Sequence, residues 1–174
     1  MAAIPVPHGC EQVPAVGTGI AAILVGPFVS VLITAVALLI QALFLAHGGL
    51  STWGADIVSM GVVGSFTGYA VFRGLRGVGA SLGIAGFAAG LLTDWATYLA
   101  TSVELASGIR GDAPILPLLG KIVIAFIPTQ LPLGILEGAM TAGMVLLLSR
   151  KRPDLLVKMK VITTNELAAR TSEV

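Results

Sequence analysis

The chain has 174 residues, of which 56% are hydrophobic and only 11% are charged, and its formal net charge is +1. Soluble domains carry roughly 25% charged residues, so this chain has too few charges to keep a folded surface in water. We therefore expect a membrane protein whose surface is mostly covered by lipid. The single cysteine, Cys10, excludes a disulfide framework within the chain.

Glycine is abundant, at 22 of the 174 residues, against an average of about 7%. Helices in lipid gain no hydrophobic stabilisation from packing against each other, and small residues let their backbones approach closely. The composition therefore predicts a bundle of tightly packed helices.

The amino-terminal segment has no basic start and no apolar core ahead of His8, Cys10 and Glu11, so a cleavable signal peptide is not expected. The first apolar stretch then runs from Ala15 to Ala46 without a charged side chain. As one helix it would be about 48 Å long, which exceeds the roughly 30 Å hydrocarbon core.

A break within this stretch is expected at Gly26-Pro27, because proline removes a helical hydrogen bond and disfavours helix at the residue before it. The sequence thus predicts a short segment from Gly17 to Val25 and a full span from Phe28 to Ala46.

Three more apolar stretches follow. We expect one span to end at Arg73 and Arg76, one to be interrupted by Asp94, and the last to be a single kinked helix because it contains prolines. The fold class is therefore predicted to be all-α, a polytopic helical membrane bundle of about five segments. The chain divides into an outer loop (1–16), the membrane domain (17–149) and a basic tail (150–174). The later spans are Ile57 to Phe72, Val78 to about Val103, and Ile115 to Ser149, the last with Pro117, Pro128 and Pro132.

Basic residues predict the orientation. The loop from Arg73 to Arg76 and the tail after Ser149 are both basic and lie two spans apart, so both are expected in the cytoplasm of a protein of the cell membrane. The loop from Ser51 to Asp56 then faces outward. So does the amino terminus, if the short first segment is counted as a crossing. Within the tail, the capping-box spacing from Thr163 to Glu166 is compatible with a short helix or with a frayed terminus.

Polar side chains inside the spans are candidates for function, because each costs several kcal/mol unless it meets a partner or water. Asp94 and Glu137 are the ionisable ones, and Gln41 and Gln130 are buried amides. Two interpretations stay open: hydrogen bonding between helices, or a place on a transport pathway. Glu104, near a helix end, is expected to be interfacial.

Metal ligands are sought among imidazole, thiolate and carboxylate groups. His8 and Cys10, with Glu11 beside them, lie on the side expected to face outward, and His47 ends a span on the same side. If the chain binds a metal by itself, we expect His8, Cys10 and His47 to be the donors, because Co²⁺ and Ni²⁺ favour imidazole.

No catalytic pattern accompanies these residues. The sequence contains no phosphate-binding Gly-x4-Gly-Lys-Ser/Thr loop. Gly64-Ser65 lacks a nearby histidine base, which an intramembrane serine protease needs. We therefore expect neither an enzyme nor a permanently bound cofactor, and no nucleic-acid partner.

Several motifs in order resemble one family. The run QALFLAHGGLSTWGAD, from Gln41 to Asp56, is similar to a signature stretch of the cobalt/nickel substrate-specific subunits, of the CbiM/NikM type, of energy-coupling factor transporters. The other matching runs are GTGIAAILVGPF (17–28), SMGVVG (59–64), DWATY (94–98) and TQLPLGILEG (129–138).

This resemblance implies uptake of Co²⁺ for cobalamin synthesis, or of Ni²⁺. It implies a transmembrane coupling subunit and cytoplasmic ABC-type ATPases as partners, which would hydrolyse the ATP. The glycines of one predicted helix face would contact the coupling subunit or, alternatively, pack this chain's own helices: Gly79, Gly83, Gly86 and Gly90.

The chain also departs from the family pattern. It begins Met1-Ala2-Ala3 where family members begin Met-His, and the two spans that usually precede Gly17 are expected to be missing. The usual second histidine is absent from Val13 to Ala15. The open explanations are a fragment, a split protein whose missing helices come from another chain, or a rebuilt metal site. The alternative function is a structural or regulatory partner of the coupling subunit without a metal site.

Overall fold

The computed structural model describes residues 17–44, 51–112 and 114–162, and every element in these ranges is a helix. The predicted all-α membrane bundle is therefore confirmed. The helices are α1 (Thr18–Val25), α2 (Pro27–Phe44), α3 (Trp53–Gly77), α4 (Leu82–Ile109), α5 (Ile115–Lys151) and α6 (Pro153–Lys158).

Three of the described helices, α2, α3 and α5, are long and apolar enough to cross a membrane. The 28 residues of α4 give a length of about 42 Å, which is also sufficient, but this helix carries Asp94 near its middle. The eight residues of α1 give only about 12 Å, less than half of the hydrocarbon core. The expected short first segment is present.

The expected break between α1 and α2 is confirmed. Gly26 has φ 88° and ψ 163°, a backbone conformation that is almost restricted to glycine. Pro27 is then the first residue of α2, where its missing N–H costs nothing. After the break the chain turns back, and α2 packs against α1. The Ser30 hydroxyl on α2 donates to the Thr18 carbonyl on α1 at 3.3 Å.

Helix α3 is longer at both ends than predicted. It begins at Trp53 instead of Ile57, and the Trp53 indole nitrogen donates to the Ala35 carbonyl at 3.2 Å, which joins its first turn to α2. Its residues Ile57–Gly64 are wound as a π-helix, a feature that is frequent at functional sites.

The basic residues at the far end of α3 do not terminate it, since arginine is a good helix former. Arg73 lies 5.4 Å from the ring centre of Tyr69 one turn earlier. The helix stops at Gly77, and Gly79, with φ 85°, turns the chain. The fourth span therefore starts at Leu82, not Val78, with the Ser81 side chain accepting from the Ile84 N–H at 3.3 Å.

The last apolar stretch is one helix, as predicted, although it contains Pro128 and Pro132. Its 37 residues give about 55 Å along the axis. Helices α4 and α5 share the most extensive interface of the bundle. Gly86 lies against the backbone of Ala142 there, and Gly83 lies against Leu146. These two glycines thus pack helices of this chain.

The start of the tail packs onto the bundle, a feature that the sequence pattern did not indicate. Arg152, just before α6, donates two hydrogen bonds of 3.1 Å to Asp154 in the first turn of that helix. These bonds hold the pKa of the Asp154 carboxyl below its usual range. Leu156 on α6 is completely buried. Thr163 to Glu166, where a short helix was considered, lies outside the described residues. The cluster that encloses Leu156 comprises Ile23, Phe72, Leu82, Ala85, Ala89, Val145, Val161 and Ile162.

We predict that Gly26→Ala destabilises the protein by about 1–3 kcal/mol, because a Cβ is strained at this φ and ψ. No atom lies within 4 Å of the position of an added Cβ, so the loss of stability would come from backbone strain and not from a steric clash. Thermal unfolding in detergent measures it. Gly143→Ala is the matched control, since Gly143 lies within α5 and also has open space around it. Equal stability of the two variants would contradict the prediction.

Candidate functional site: a polar cavity inside the bundle

Two acidic side chains meet inside the bundle. Asp94 on α4 is 3% exposed and Glu137 on α5 is 7% exposed. They line one cavity of about 10 Å³, roughly the room that a single water molecule requires. The cavity lies between α1, α3, α4 and α5, and its other lining residues are Thr18, Met60, Thr93, Thr97 and Tyr98.

The spacing of the α4 residues explains why they share a wall. Thr93, Asp94, Thr97 and Tyr98 are two pairs four residues apart, and residues at this separation lie on the same helix face. All four are buried. The four-residue spacing is the sequence signal that places these hydroxyl groups beside Asp94.

The α1 wall is held by hydroxyl groups. Ser65 on α3 donates to the Ser30 hydroxyl at 2.9 Å, and Ser30 donates to the Thr18 carbonyl. The Thr18 and Thr34 hydroxyls are 3.5 Å apart. The hydrocarbon core offers no water to these polar groups, so they bond to each other. The bonds fix the beginning of α1 at the cavity.

Glycines let the neighbouring helices approach α4 at the cavity. A Cβ added to Gly64 on α3 would lie 2.9 Å from the Thr97 hydroxyl oxygen, and one added to Gly68 would lie 2.5 Å from that of Thr93. On α5, a Cβ at Gly134 would lie 2.9 Å from Asp94 Oδ2. The site therefore depends on backbone approach from both sides of α4.

Two atoms of this site lack a hydrogen-bond partner among the described residues. They are Asp94 Oδ2 and Thr93 Oγ1, both fully buried. Buried polar atoms are nearly always paired, so two unpaired oxygens in one cavity mark it as a candidate binding site. The arrangement provides oxygen ligands for a small guest.

A second, larger cavity of about 300 Å³ lies between α4 and the first half of α5. Tyr98 lines both cavities, and its ring centre is 6.1 Å from that of Phe126. Gln130 lines only the larger one, and its Oε1 has no partner within the described ranges. The remaining lining residues are Trp95, Leu99, Ser102, Val123, Ile127 and Leu131.

The sequence-predicted residues thus separate into groups. Asp94 and Glu137 come together, with Gln130 in the adjoining cavity. Gln41, partly buried near the end of α2, and Glu104, partly buried in α4, line neither cavity.

The candidate metal donors His8, Cys10 and His47 lie outside the described residues, as does Glu11. Within 17–44, 51–112 and 114–162, no group of three histidine, cysteine or acidic side chains is arranged to hold a metal ion. Their role as ligands therefore stays a prediction.

Comparison with known proteins gives consistent matches. The family model for CbiM, described as the cobalt uptake substrate-specific transmembrane region, matches residues 1–155. The cobalt transport protein CbiM of Geobacter sulfurreducens is 71% identical over 91% of this chain and 46% of its own length. That of Sorangium cellulosum is 52% identical over 91% of this chain and 71% of its own length.

The chain thus spans about half the length of the Geobacter relative. A crystal structure described as a transition metal transporter superposes with a TM-score of 0.66 at 23% identity, covering 77% of this chain and 63% of that one. This likeness is one of fold.

We predict that Gly90→Ala destabilises the bundle by about 1–3 kcal/mol through overpacking. A Cβ there would lie 2.8 Å from the Glu137 carbonyl oxygen, which is backbone, and 2.6 Å from the Thr141 hydroxyl oxygen. Gly108→Ala on the same helix is the control, because no atom lies within 4 Å of its added Cβ. Thermal unfolding of both variants in detergent is the measurement, and a Gly90 variant as stable as the control would refute the close contact.

Proposed function

Since this chain belongs to the CbiM family, we propose that it is the substrate-binding membrane subunit of an uptake transporter for a divalent transition metal. Co²⁺ is the first candidate and Ni²⁺ the alternative. The observation that carries the proposal is the family match over residues 1–155. The 71% identity to a cobalt transport protein supports cobalt.

The chain works as part of a complex in this proposal. Its sequence contains no phosphate-binding loop, so ATP would be hydrolysed by separate cytoplasmic ATPases joined through a transmembrane coupling subunit. No chemical step is assigned to this subunit.

Capture of the ion is assigned to His8, Cys10 and His47. Imidazole and thiolate are stronger ligands for Co²⁺ and Ni²⁺ than hydroxyl or carbonyl oxygens are. The chain has only these two histidines and this one cysteine. A site built from them is expected on the outer side, where the ion arrives.

Calorimetric titration of Co²⁺ and Ni²⁺ into the detergent-purified protein tests this assignment. We expect His8→Ala and His47→Ala each to weaken binding at least tenfold, about 1.4 kcal/mol. Affinity should fall as the pH drops through about 6.5, because imidazole must be deprotonated to bind. Ser51→Ala, beside the His47 segment, should bind as the wild type does. Unchanged affinity in both histidine variants would refute these ligands, and a wild type that binds neither ion would favour a structural or regulatory partner.

The proposed orientation places the carboxyl end of α3 in the cytoplasm and its amino end outside. The 25 residues of α3 separate these ends by about 38 Å. In a Cys10→Ser background, a cysteine at Val78, which is 81% exposed, should react with an impermeant maleimide only after the cells are opened. A cysteine at the exposed Ser51 should react in intact cells. The reverse pattern would invert the topology.

A further inference from the structure

We propose that the cavity between α1, α3, α4 and α5 is a binding site for one divalent cation held by carboxylate and hydroxyl oxygens. It is separate from the donors assigned above, which include nitrogen and sulfur. Only the identity of the ion in the cell rests on the proposed function. The existence of the site does not.

The first argument is charge. Asp94 and Glu137 line the cavity, and no lysine, arginine or histidine is among the described residues that line it. Ionised carboxylates are costly in the membrane interior unless they are compensated. The beginning of α1 at Thr18 contributes about half a positive charge, which leaves more than one negative charge unbalanced. A cation or added protons must supply the rest.

The second argument is the ligand set. Six of the seven lining side chains carry oxygen, and the seventh is Met60. Carboxylate and hydroxyl oxygens are the ligands that hard divalent cations prefer. Asp94 Oδ2 and Thr93 Oγ1 are buried without a hydrogen-bond partner among the described residues, so their lone pairs are free to bind a cation.

The third argument is size together with charge balance. The cavity of about 10 Å³ accommodates one water-sized guest, so it has room for one ion without a hydration shell. A divalent cation neutralises both carboxylates at once, whereas Na⁺ would require one of them to remain protonated. The divalent charge is therefore the better match.

Two sources of such an ion share this chemistry. One is the transported transition metal, for which the cavity would be a second station deeper in the bundle than the proposed capture site. The other is a hard cation from the surroundings, such as Mg²⁺ or Mn²⁺, which would hold α1, α4 and α5 together. The relative affinities for Co²⁺, Mn²⁺ and Mg²⁺ distinguish the two.

The experiment uses the full chain in detergent with His8, Cys10 and His47 replaced by alanine, so that the proposed capture site cannot contribute. Co²⁺, Mn²⁺ and Mg²⁺ are titrated separately by calorimetry at constant Na⁺, and thermal unfolding is recorded with and without each ion. We expect one equivalent to bind and to raise the unfolding temperature. A preference for Co²⁺ indicates the cargo, and equal or tighter binding of Mn²⁺ and Mg²⁺ indicates the ambient ion.

Asp94→Asn and Glu137→Gln, introduced singly in that background, should weaken binding at least tenfold and abolish the thermal shift. Both preserve side-chain size and remove a buried charge, so in metal-free buffer they should unfold no earlier than their parent. Glu104→Gln is the control, because it removes a carboxylate from α4 outside the cavity and should leave binding unchanged. Thr97→Val, which removes one hydroxyl ligand with little change in volume, should weaken binding several-fold and serves if a carboxylate variant does not fold.

Two results would overturn the proposal. One is that none of the three ions binds the background protein, which would leave a protonated pair with water in the cavity. The other is that an ion binds equally well to Asp94→Asn, Glu137→Gln and Thr97→Val. Because the capture residues are absent throughout, neither result bears on whether the wild type captures Co²⁺ at its outer side.

Discussion

The close approach of α4 to α3 and α5 is the contact on which the rest of the structure depends. In lipid, apolar helices gain no hydrophobic stabilisation when their side chains pack together, because lipid tails are equally apolar. Their association therefore rests on dispersion between tightly packed backbones and on hydrogen bonds. Gly64 and Gly68 admit the threonines of α4 on one side, and Gly90 and Gly134 bring α5 close on the other. A Cβ at any of these positions would meet an atom at 2.9 Å or less.

This packing also creates the polar cavity. Backbones that approach so closely leave little room for water. The carboxyl groups of Asp94 and Glu137 are enclosed there, and the described part of the chain contributes no basic side chain to the lining. The same glycines that let the helices pack closely therefore also enclose these two carboxyl groups, which is electrostatically unfavourable. Such an environment persists only when a proton, an ion or water compensates it, which connects the stability of the helix core to its occupancy.

The short helix α1 joins this core to the preceding segment. It is too short to cross the membrane. The Ser30 hydroxyl on α2, which donates to the Thr18 carbonyl and accepts from Ser65 on α3, holds it to both helices. Its first residue lines the polar cavity. In the function we propose, His8 and Cys10, which precede α1, and His47, which follows α2, would capture the ion at the outer side. The oxygen ligands of the cavity would bind it afterwards. The two sets differ in chemistry, since one includes nitrogen and sulfur and the other consists of oxygen.

Properties that depend on local sequence were predictable. The composition showed that lipid surrounds the protein. Gly26-Pro27 marked the helix break, because each of these residues restricts or frees its own backbone. The ordered motifs identified the family. Contacts between distant segments were not. No local pattern indicated that Asp94 would meet Glu137, or that Leu156 would be buried in a tail that reads as polar. Those outcomes were decided by which helix faces pack together, and only the tertiary structure determines that.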